Sequence, residues 1–86
     1  MHSTYILYSA SLDKYYIGST SLPIADRLRR HLTDHDGFTA KAKDWTVVYT
    51  HEFVSKELAL AREKQIKNWR SKRMIEAVIA KSNRNT

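Results

Sequence analysis

The stretch that most constrains this chain runs over residues 4–18, TYILYSASLDKYYIG, where two runs rich in tyrosine and isoleucine flank a polar segment. Aromatic and β-branched runs on either side of turn-forming residues predict a β-hairpin, with strands at residues 4–8 and 14–18. Because side chains alternate across a strand, Tyr5 and Tyr16 each point away from their immediate neighbours. One face of the hairpin can therefore carry two phenols.

Four tyrosines lie in this short hairpin, which is more than a core requires, because a buried phenol must still find a hydrogen-bond partner. One interpretation is that they are packing aromatics whose hydroxyl groups lie at the rim of the sheet. The other interpretation is that some of these tyrosines belong to a functional site. Gly18 favours the second interpretation, since a glycine weakens a strand unless close approach of another group requires the missing side chain.

With 86 residues, the chain is long enough for one modest core, so we expect one small domain over residues 1–86 with any site shallow and at its surface. The sequence contains no cysteine, which excludes disulfides and thiolate metal sites. It lacks the apolar segment of a signal peptide and any run near the roughly 18 residues of a membrane span. We therefore expect a cytoplasmic protein with no membrane partner.

The chain is basic, since 15 Lys and Arg against 9 Asp and Glu give a formal net charge of +6. Such an excess indicates an anionic partner, and nucleic acid is favoured over membrane. Many small basic proteins bind nothing specific, however, so the charge supports this prediction without deciding it.

A first helix is predicted over residues 23–33, with a polar cap ahead of the proline in its first turn. Its apolar residues recur every four positions and form a buried stripe, while Arg27 and His31, also four apart, share another face. Turn-forming residues 33–37 end the helix, and a basic connection over residues 38–43 can hold one loose helical turn.

Residues 45–53 alternate with period two, carry apolar residues at odd positions and predict the third strand. Ser55 is the expected cap of a helix over residues 56–70. A last helix begins at Ser71, and the polar tail at residues 81–86 is expected to fray. The order ββαβαα predicts an α+β fold: a small three-stranded, mostly antiparallel sheet flanked by helices, which we expect on one face.

The helix over residues 56–70 carries an acid, Glu63, in the middle of an otherwise basic run. At 100° per residue, Glu63 lies between apolar residues on either side. It can be an ordinary i,i+4 partner of Lys67, worth roughly 0.3 kcal/mol. It can instead be a carboxylate at the edge of the sheet that binds Mg²⁺ through one oxygen, while phosphate and water complete the coordination. Position alone leaves both interpretations open.

Arg27 and His31 leave a similar choice open. Arg27 can be a solvated surface charge. Alternatively, its planar guanidinium can bind a phosphate while negative charge is transferred to the leaving oxygen. His31 can transfer a proton near neutral pH, bind a phosphate, or lie on the surface. The four histidines show no metal-ligand spacing, and the sequence has no Gly-rich phosphate loop, nucleophile elbow or paired-carboxylate site. Zinc chemistry is therefore not expected.

Taken in order, these residues resemble the GIY-YIG nuclease superfamily, specifically its small stand-alone bacterial members, once called excinuclease-like, and the resemblance spans residues 4–83. The matching segments are KYYIGST at residues 14–20, DRLRRH at 26–31 and REKQIKNW at 62–69. The first motif departs from the family, since Ser-Thr-Tyr at residues 3–5 stands where the family has Gly-Ile-Tyr, and only the tyrosine remains. The match at Asn83 is weaker, because Arg84 replaces the family's proline.

The resemblance implies a single-metal phosphodiesterase in which Glu63 is the only protein ligand of Mg²⁺ or Mn²⁺. Tyr5 or Tyr16 would activate the attacking water, which a phenol of pKa near 10 can do only beside the metal and Arg27. Arg27 would stabilise the charge that builds on the phosphate, and His31 would assist the tyrosine or contact the phosphate. The implied catalytic residues are Tyr5, Tyr16, Arg27, His31, Glu63 and Asn83.

Around this site, basic and polar residues would bind the nucleic-acid backbone in a salt-sensitive, sequence-tolerant way. They are Arg29, Arg30, Thr39, Lys41, Lys43, Lys64 and Lys67. We therefore predict a Mg²⁺- or Mn²⁺-dependent DNA endonuclease in repair, recombination or DNA processing. Either a homodimer or a partner protein supplies specificity, or the enzyme is weakly selective. The alternative is a nucleic-acid-binding module of the same fold that cuts slowly or not at all. RNA or a single strand is a third substrate option, because exposed tyrosines can stack on bases.

Overall fold

The structure, a computed structural model, describes residues 1–33 and 37–84, apart from the side chains of Phe38, Asn83 and Arg84. Residues 34–36 of the predicted turn therefore lie outside the described part. Within the described ranges, no helix is long and apolar enough to cross a membrane.

Three strands and three α-helices follow one another in the predicted order ββαβαα. They are β1 (His2–Ser9), β2 (Lys14–Thr20), α1 (Ile24–Thr33), β3 (Thr46–Phe53), α2 (Lys56–Trp69) and α3 (Lys72–Arg84), with a short 3₁₀ helix at Phe38–Lys41 before β3. The strands form one antiparallel sheet in the order β2-β1-β3, so β1 lies in its centre. The predicted α+β fold and the helical turn ahead of β3 are both confirmed.

The turn between β1 and β2 is held from outside the hairpin by Asp44. Its carboxylate accepts hydrogen bonds from Oγ of Ser9 at 2.6 Å and from the backbone N–H of Ser11 at 2.8 Å. Asp13 completes the turn with a φ of 52°, a conformation that aspartate adopts more readily than most residues. The two strands are thus held in register without a glycine in the turn.

Helices cover both faces of the sheet. Tyr5 packs on one face beneath α1, in a cluster that includes Ala42 and Trp45. Ile6 points to the opposite face and packs with Ile66 of α2 and Ile75 of α3. Burying one such isoleucine contributes about 1.5–3 kcal/mol to the stability of the fold. The apolar stripe of α1 is buried against one face of the sheet, and those of α2 and α3 are buried against the other. The expectation of helices on one face only is therefore wrong.

A β-bulge interrupts the pairing of β3 with β1. Ile6 pairs with Tyr49 and Leu7 with Val47, so Val48 is an extra residue in β3. Because side chains alternate with period two, one extra residue reverses the faces on either side of it. Val47 accordingly packs beneath α1, whereas Tyr49 packs beneath α2 and α3. The predicted period-two alternation therefore fails across the bulge.

Local signals mark both ends of α2. The hydroxyl of Ser55 accepts from a first-turn amide at 3.2 Å, as predicted. At the other end Arg70 adopts the left-handed conformation, with φ 49° and ψ 32°, where glycine is the usual residue. Ser71 then starts α3, with its hydroxyl accepting from the N–H of Met74 at 3.2 Å. Because α3 continues to Arg84, much of the tail that was expected to fray is helical.

Candidate active site

The hydroxyl group of Tyr5 is the centre of a buried hydrogen-bond cluster between β1 and α1. Tyr5 is 1% exposed. Its oxygen lies 2.8 Å from Nε2 of His31, and Nε of Arg27 donates a hydrogen bond to it at 3.2 Å. The candidate residues of the first strand and the first helix are therefore in direct contact.

This cluster indicates how the His31 ring is protonated. The Tyr5 oxygen accepts from Arg27, and directing the single phenolic proton at Nε2 of His31 satisfies both side chains. In a neutral imidazole the proton then lies on Nδ1, which can donate to Oγ1 of Thr39, 3.0 Å away. Thr39 thereby holds the ring with its acceptor nitrogen aimed at Tyr5.

The geometry of α1 explains why Arg27 and His31 both reach Tyr5. They lie four residues apart on one helix face, and the apolar stripe of the helix packs against the same face of the sheet that carries the phenol. His31 is only 3% exposed. The interpretation of His31 as a surface histidine is therefore excluded, whereas a role beside a tyrosine fits its position.

Tyr16 completes the aromatic wall of the site. Its ring centroid lies 4.9 Å from that of His31 in an edge-to-face arrangement and 6.4 Å from that of Tyr5. Unlike Tyr5, it is partly exposed. The face of the hairpin that was predicted to carry two phenols does so, and Tyr16 is the one nearer to solvent.

Gly18 allows the Tyr5 ring to lie directly over β2. A Cβ atom at this position would lie 2.5 Å from Oη and 2.7 Å from Cζ of Tyr5. Neither distance is possible for non-bonded atoms in a packed interior. Gly18 is therefore required by the close approach of another group, as predicted, although β2 continues past it to Thr20.

Burial raises the pKa of the Tyr5 hydroxyl above its ordinary value. The hydrogen bond and the positive charge of Arg27 oppose this effect, whereas the ionisable groups of Tyr16 and Glu63 add to it. The phenol consequently stays protonated at neutral pH and can donate to His31. The contribution of Glu63 also places its carboxylate within electrostatic reach of Tyr5.

Glu63 comes from α2, on the opposite face of the sheet. Its side chain is 18% exposed, and its carboxylate accepts from Nζ of Lys67 at 2.7 Å. One turn earlier, the carbonyl of Ala59 accepts from Oγ1 of Thr4 at 2.7 Å, which holds α2 against β1. The i,i+4 pair with Lys67 is thus present, and a metal bound by Glu63 would have to displace or share this partner.

An open cleft of about 350 Å³, here called the Arg27 cleft, lies beside the buried cluster. Its polar lining residues are His2, Ser19, Thr20, Ser21, Arg27 and Lys56. Of these, only Arg27 belongs to the sequence-based site predictions. The hydroxyl run directly after Gly18 was a usable signal for Ser19 and Thr20. No local signal identifies Lys56, because packing of α2 brings it there.

The residues predicted to contact a nucleic-acid backbone differ in exposure. Arg29, Arg30, Lys41, Lys43, Lys64 and Lys67 are all exposed. Thr39 is only 4% exposed, and its hydroxyl lies 3.0 Å from Nδ1 of His31; its contact with a nucleic-acid backbone stays a prediction. The side chain of Asn83 lies outside the described part of the chain, although its backbone belongs to α3.

The donor groups at the site suit a hard divalent cation. Among the described residues, no group of three or more His, Cys, Asp or Glu side chains converges. Mg²⁺ keeps several waters and is often held by one or two carboxylates together with substrate phosphates, so a lone carboxylate fits it. Glu63 supplies that carboxylate one turn from Ala59, which lines the Arg27 cleft. The lone carboxylate of Glu63 is therefore compatible with a divalent cation that a substrate phosphate helps to hold.

Comparison with known proteins adds one positive finding. The family model described as the GIY-YIG catalytic domain matches residues 1–76. No curated protein sequence matches the chain significantly. No solved structure does so either. The matched range includes every residue of the buried cluster, Glu63 and the Arg27 cleft.

Proposed function

The chain belongs to the GIY-YIG nuclease superfamily, and on that premise we propose that it is a metal-dependent endonuclease that hydrolyses phosphodiester bonds in DNA. A nuclease-type function comes with the family. The observation that carries the finer proposal is the buried contact of Tyr5 with Arg27 and His31, at the side of a cleft that also contains Lys56. A phosphate in this cleft would lie beside two cations, Arg27 and Lys56, of which Arg27 is hydrogen-bonded to the phenol of Tyr5.

Arg27 would connect the buried cluster to the substrate. It donates to Tyr5 and also lines the Arg27 cleft, so one guanidinium meets the phenol and a phosphate placed in the cleft. Its planar donors match the oxygens of a phosphate, and its positive charge would stabilise the additional negative charge of the transition state. Lys56 would bind the backbone as a second, more mobile cation.

Tyr5 and His31 would move the proton of the attacking water. As the Tyr5 oxygen accepts a proton from water, its own phenolic proton passes to Nε2 of His31, 2.8 Å away. His31 then becomes an imidazolium that donates from both nitrogens, with Thr39 accepting from Nδ1. These two proton transfers leave Tyr5 as a neutral phenol, so no phenolate is formed, and burial disfavours a phenolate here. Tyr16 would hold the imidazole through its ring contact.

Glu63 would hold Mg²⁺ or Mn²⁺ beside the phosphate. When bound, such an ion lowers the pKa of a coordinated water and neutralises charge on the phosphate oxygens. Lys67 would then release the carboxylate and turn towards the nucleic acid, in line with its predicted contact with the backbone. DNA is favoured over RNA, and a homodimer or a partner protein would supply specificity in repair or DNA processing.

Cleavage assays with a matched pair of variants test this proposal. Purified protein is incubated with single-stranded, duplex and branched DNA in Mg²⁺, in Mn²⁺ or in chelator. Glu63→Gln should abolish metal-dependent cleavage, whereas Glu57→Gln, an exposed acid in the first turn of the same helix, should not. Cleavage that survives Glu63→Gln would refute the role of this carboxylate.

The second candidate is a nucleic-acid-binding module that does not cut. The formal net charge of +6 and the exposed cations favour it, because backbone binding needs nothing more. Binding of DNA without cleavage in Mg²⁺ or Mn²⁺ would establish this function. A higher turnover of RNA than of DNA in the same assay would change the substrate and leave the site assignments intact.

A further inference from the structure

A second cleft, of about 260 Å³, lies where the start of β2 meets the junction of α2 and α3. Four basic residues line it: Lys14, Lys67, Arg70 and Lys72. The acid among the lining residues is Asp13, which is already ion-paired with Lys72 at 2.6 Å. The rim therefore carries a net positive charge that suits an anionic ligand.

The floor of the second cleft is apolar and aromatic. Tyr15, Ile17, Ile66 and Ile75 line it, and the hydroxyl of Tyr15 donates to Glu76 at 3.2 Å. This contact holds the ring while leaving it partly exposed. The bases of single-stranded nucleic acid stack on aromatic side chains while basic residues follow the backbone. The combination of floor and rim therefore matches a nucleotide better than it matches a free inorganic anion.

Arg70 stands out among the residues of the rim. It adopts the left-handed conformation at the end of α2, where glycine is the residue that costs least. Its side chain is exposed and forms no hydrogen bond or ion pair with the part of the chain that the structure describes. A strained backbone position occupied by a long cation, rather than by glycine, indicates a function for the side chain.

We propose that the second cleft binds one unpaired nucleotide of a single-stranded nucleic acid, with the base against the partly exposed side chains of Tyr15 and Ile17 and the phosphate against Arg70. The inference rests on the proposed function for the identity of the polymer. The volume of about 260 Å³ is large enough to seat one base. Lys67 lines the cleft and also pairs with Glu63, so a strand seated here continues towards the proposed metal ligand.

Three variants test the role of Arg70 without depending on cleavage. Arg70→Gln and Arg73→Gln each remove one exposed positive charge, but Arg73 does not line the cleft. Arg70→Gly removes the charge and places at this position the residue that adopts the left-handed conformation at least cost, so backbone strain would not explain a loss of binding. Binding of a labelled oligothymidylate is followed by fluorescence anisotropy in chelator at several salt concentrations.

Both Arg70 variants should weaken binding about fivefold to tenfold and flatten the salt dependence by about one phosphate contact. Arg73→Gln should change affinity less than about twofold. The Arg70 substitutions should weaken the binding of a duplex of the same length less, because the bases of a duplex are paired and cannot enter the cleft. Equal losses for Arg70→Gln and Arg73→Gln, or wild-type affinity in Arg70→Gly, would overturn the inference.

Methyl NMR of the metal-free protein locates the strand directly. Adding the oligothymidylate should shift the resonances of Ile17 and Ile75, which line the cleft, more than that of Ile24 on the other face of the sheet. Shifts confined to Ile24 would refute the site. Since neither measurement requires turnover, failure of this inference is distinguishable from failure of the proposed nuclease activity, which is read from the cleavage assay alone.

Discussion

Replacing Gly18 by alanine tests the packing at the centre of the proposed site. The new Cβ would lie 2.5 Å from Oη of Tyr5, whereas non-bonded heavy atoms prefer about 3.5 Å, so the hydroxyl must move by about 1 Å. The ring cannot swing into solvent, because Tyr5 is 1% exposed. Its hydrogen bonds to His31 at 2.8 Å and Arg27 at 3.2 Å would lengthen beyond useful range.

The cost of this change follows from two opposing contributions. Overpacking in a core costs about 1–3 kcal/mol, and replacing a strand glycine by alanine recovers about 0.5–1 kcal/mol of chain entropy. We therefore expect Gly18→Ala to lower the free energy of unfolding by about 1 kcal/mol, within a range of about 0–2.5 kcal/mol, and each kcal/mol lowers Tm by about 4–8 °C in a chain of this size. Cleavage should fall about 100-fold, as expected for a displacement of about 1 Å at a reacting centre.

Urea denaturation, thermal melting and the DNA cleavage assay measure these effects. A double-mutant cycle with Tyr5→Phe supplies the control, because phenylalanine lacks the hydroxyl of the 2.5 Å clash and keeps only the contact of Cζ at 2.7 Å. The destabilisation by Gly18→Ala should be smaller in the Tyr5→Phe background. A Gly18→Ala protein with the stability and activity of the wild type would refute the argument, since it would show that the ring does not lie over this glycine.

Three further predictions concern single hydrogen bonds and charges. Thr39→Val should lower the free energy of unfolding by about 1–3 kcal/mol and change the tautomer of His31 seen in ¹⁵N NMR. Thr39→Ser should keep the stability and the tautomer of the wild type. An unchanged tautomer in the valine variant would contradict the placement of the His31 proton on Nδ1. Hydrogen bonds from Ser9 and Ser11 hold the pKa of Asp44 below its ordinary value, so the stability that Asp44 contributes is present above its unfolded-state pKa and is lost as pH falls through its folded-state pKa. On acid titration the wild type should therefore lose more stability than Asp44→Asn. Urea midpoints that fall in parallel for the two proteins would disprove this role of Asp44. Lys67→Met removes the cation that lies 2.7 Å from the carboxylate of Glu63. Mn²⁺ should then bind more tightly, with the half-saturating Mn²⁺ concentration, measured by paramagnetic relaxation, reduced about twofold to fivefold. Weaker Mn²⁺ binding in this variant would argue against Glu63 as the metal ligand.

Local patterns in the sequence determined most of the secondary structure and the members of the buried cluster. The alternation around Tyr5 and Tyr16 placed both phenols on one face, and the four-residue spacing placed Arg27 and His31 together. These features are periodic and short-range, so they depend on backbone geometry alone. Gly18 was also interpretable from sequence, because a glycine at the end of a strand indicates close approach of another group.

Only the tertiary structure decided what depends on residues distant in the chain. The bulge at Val48 reverses the faces of β3, and helices cover both sides of the sheet, yet neither feature leaves a local pattern. Thr39 carries no sequence signal for a contact with His31, and Lys56 reaches the Arg27 cleft only because α2 packs against β1. Pairing and packing between distant segments are set by the fit of whole surfaces, which no single stretch of sequence contains.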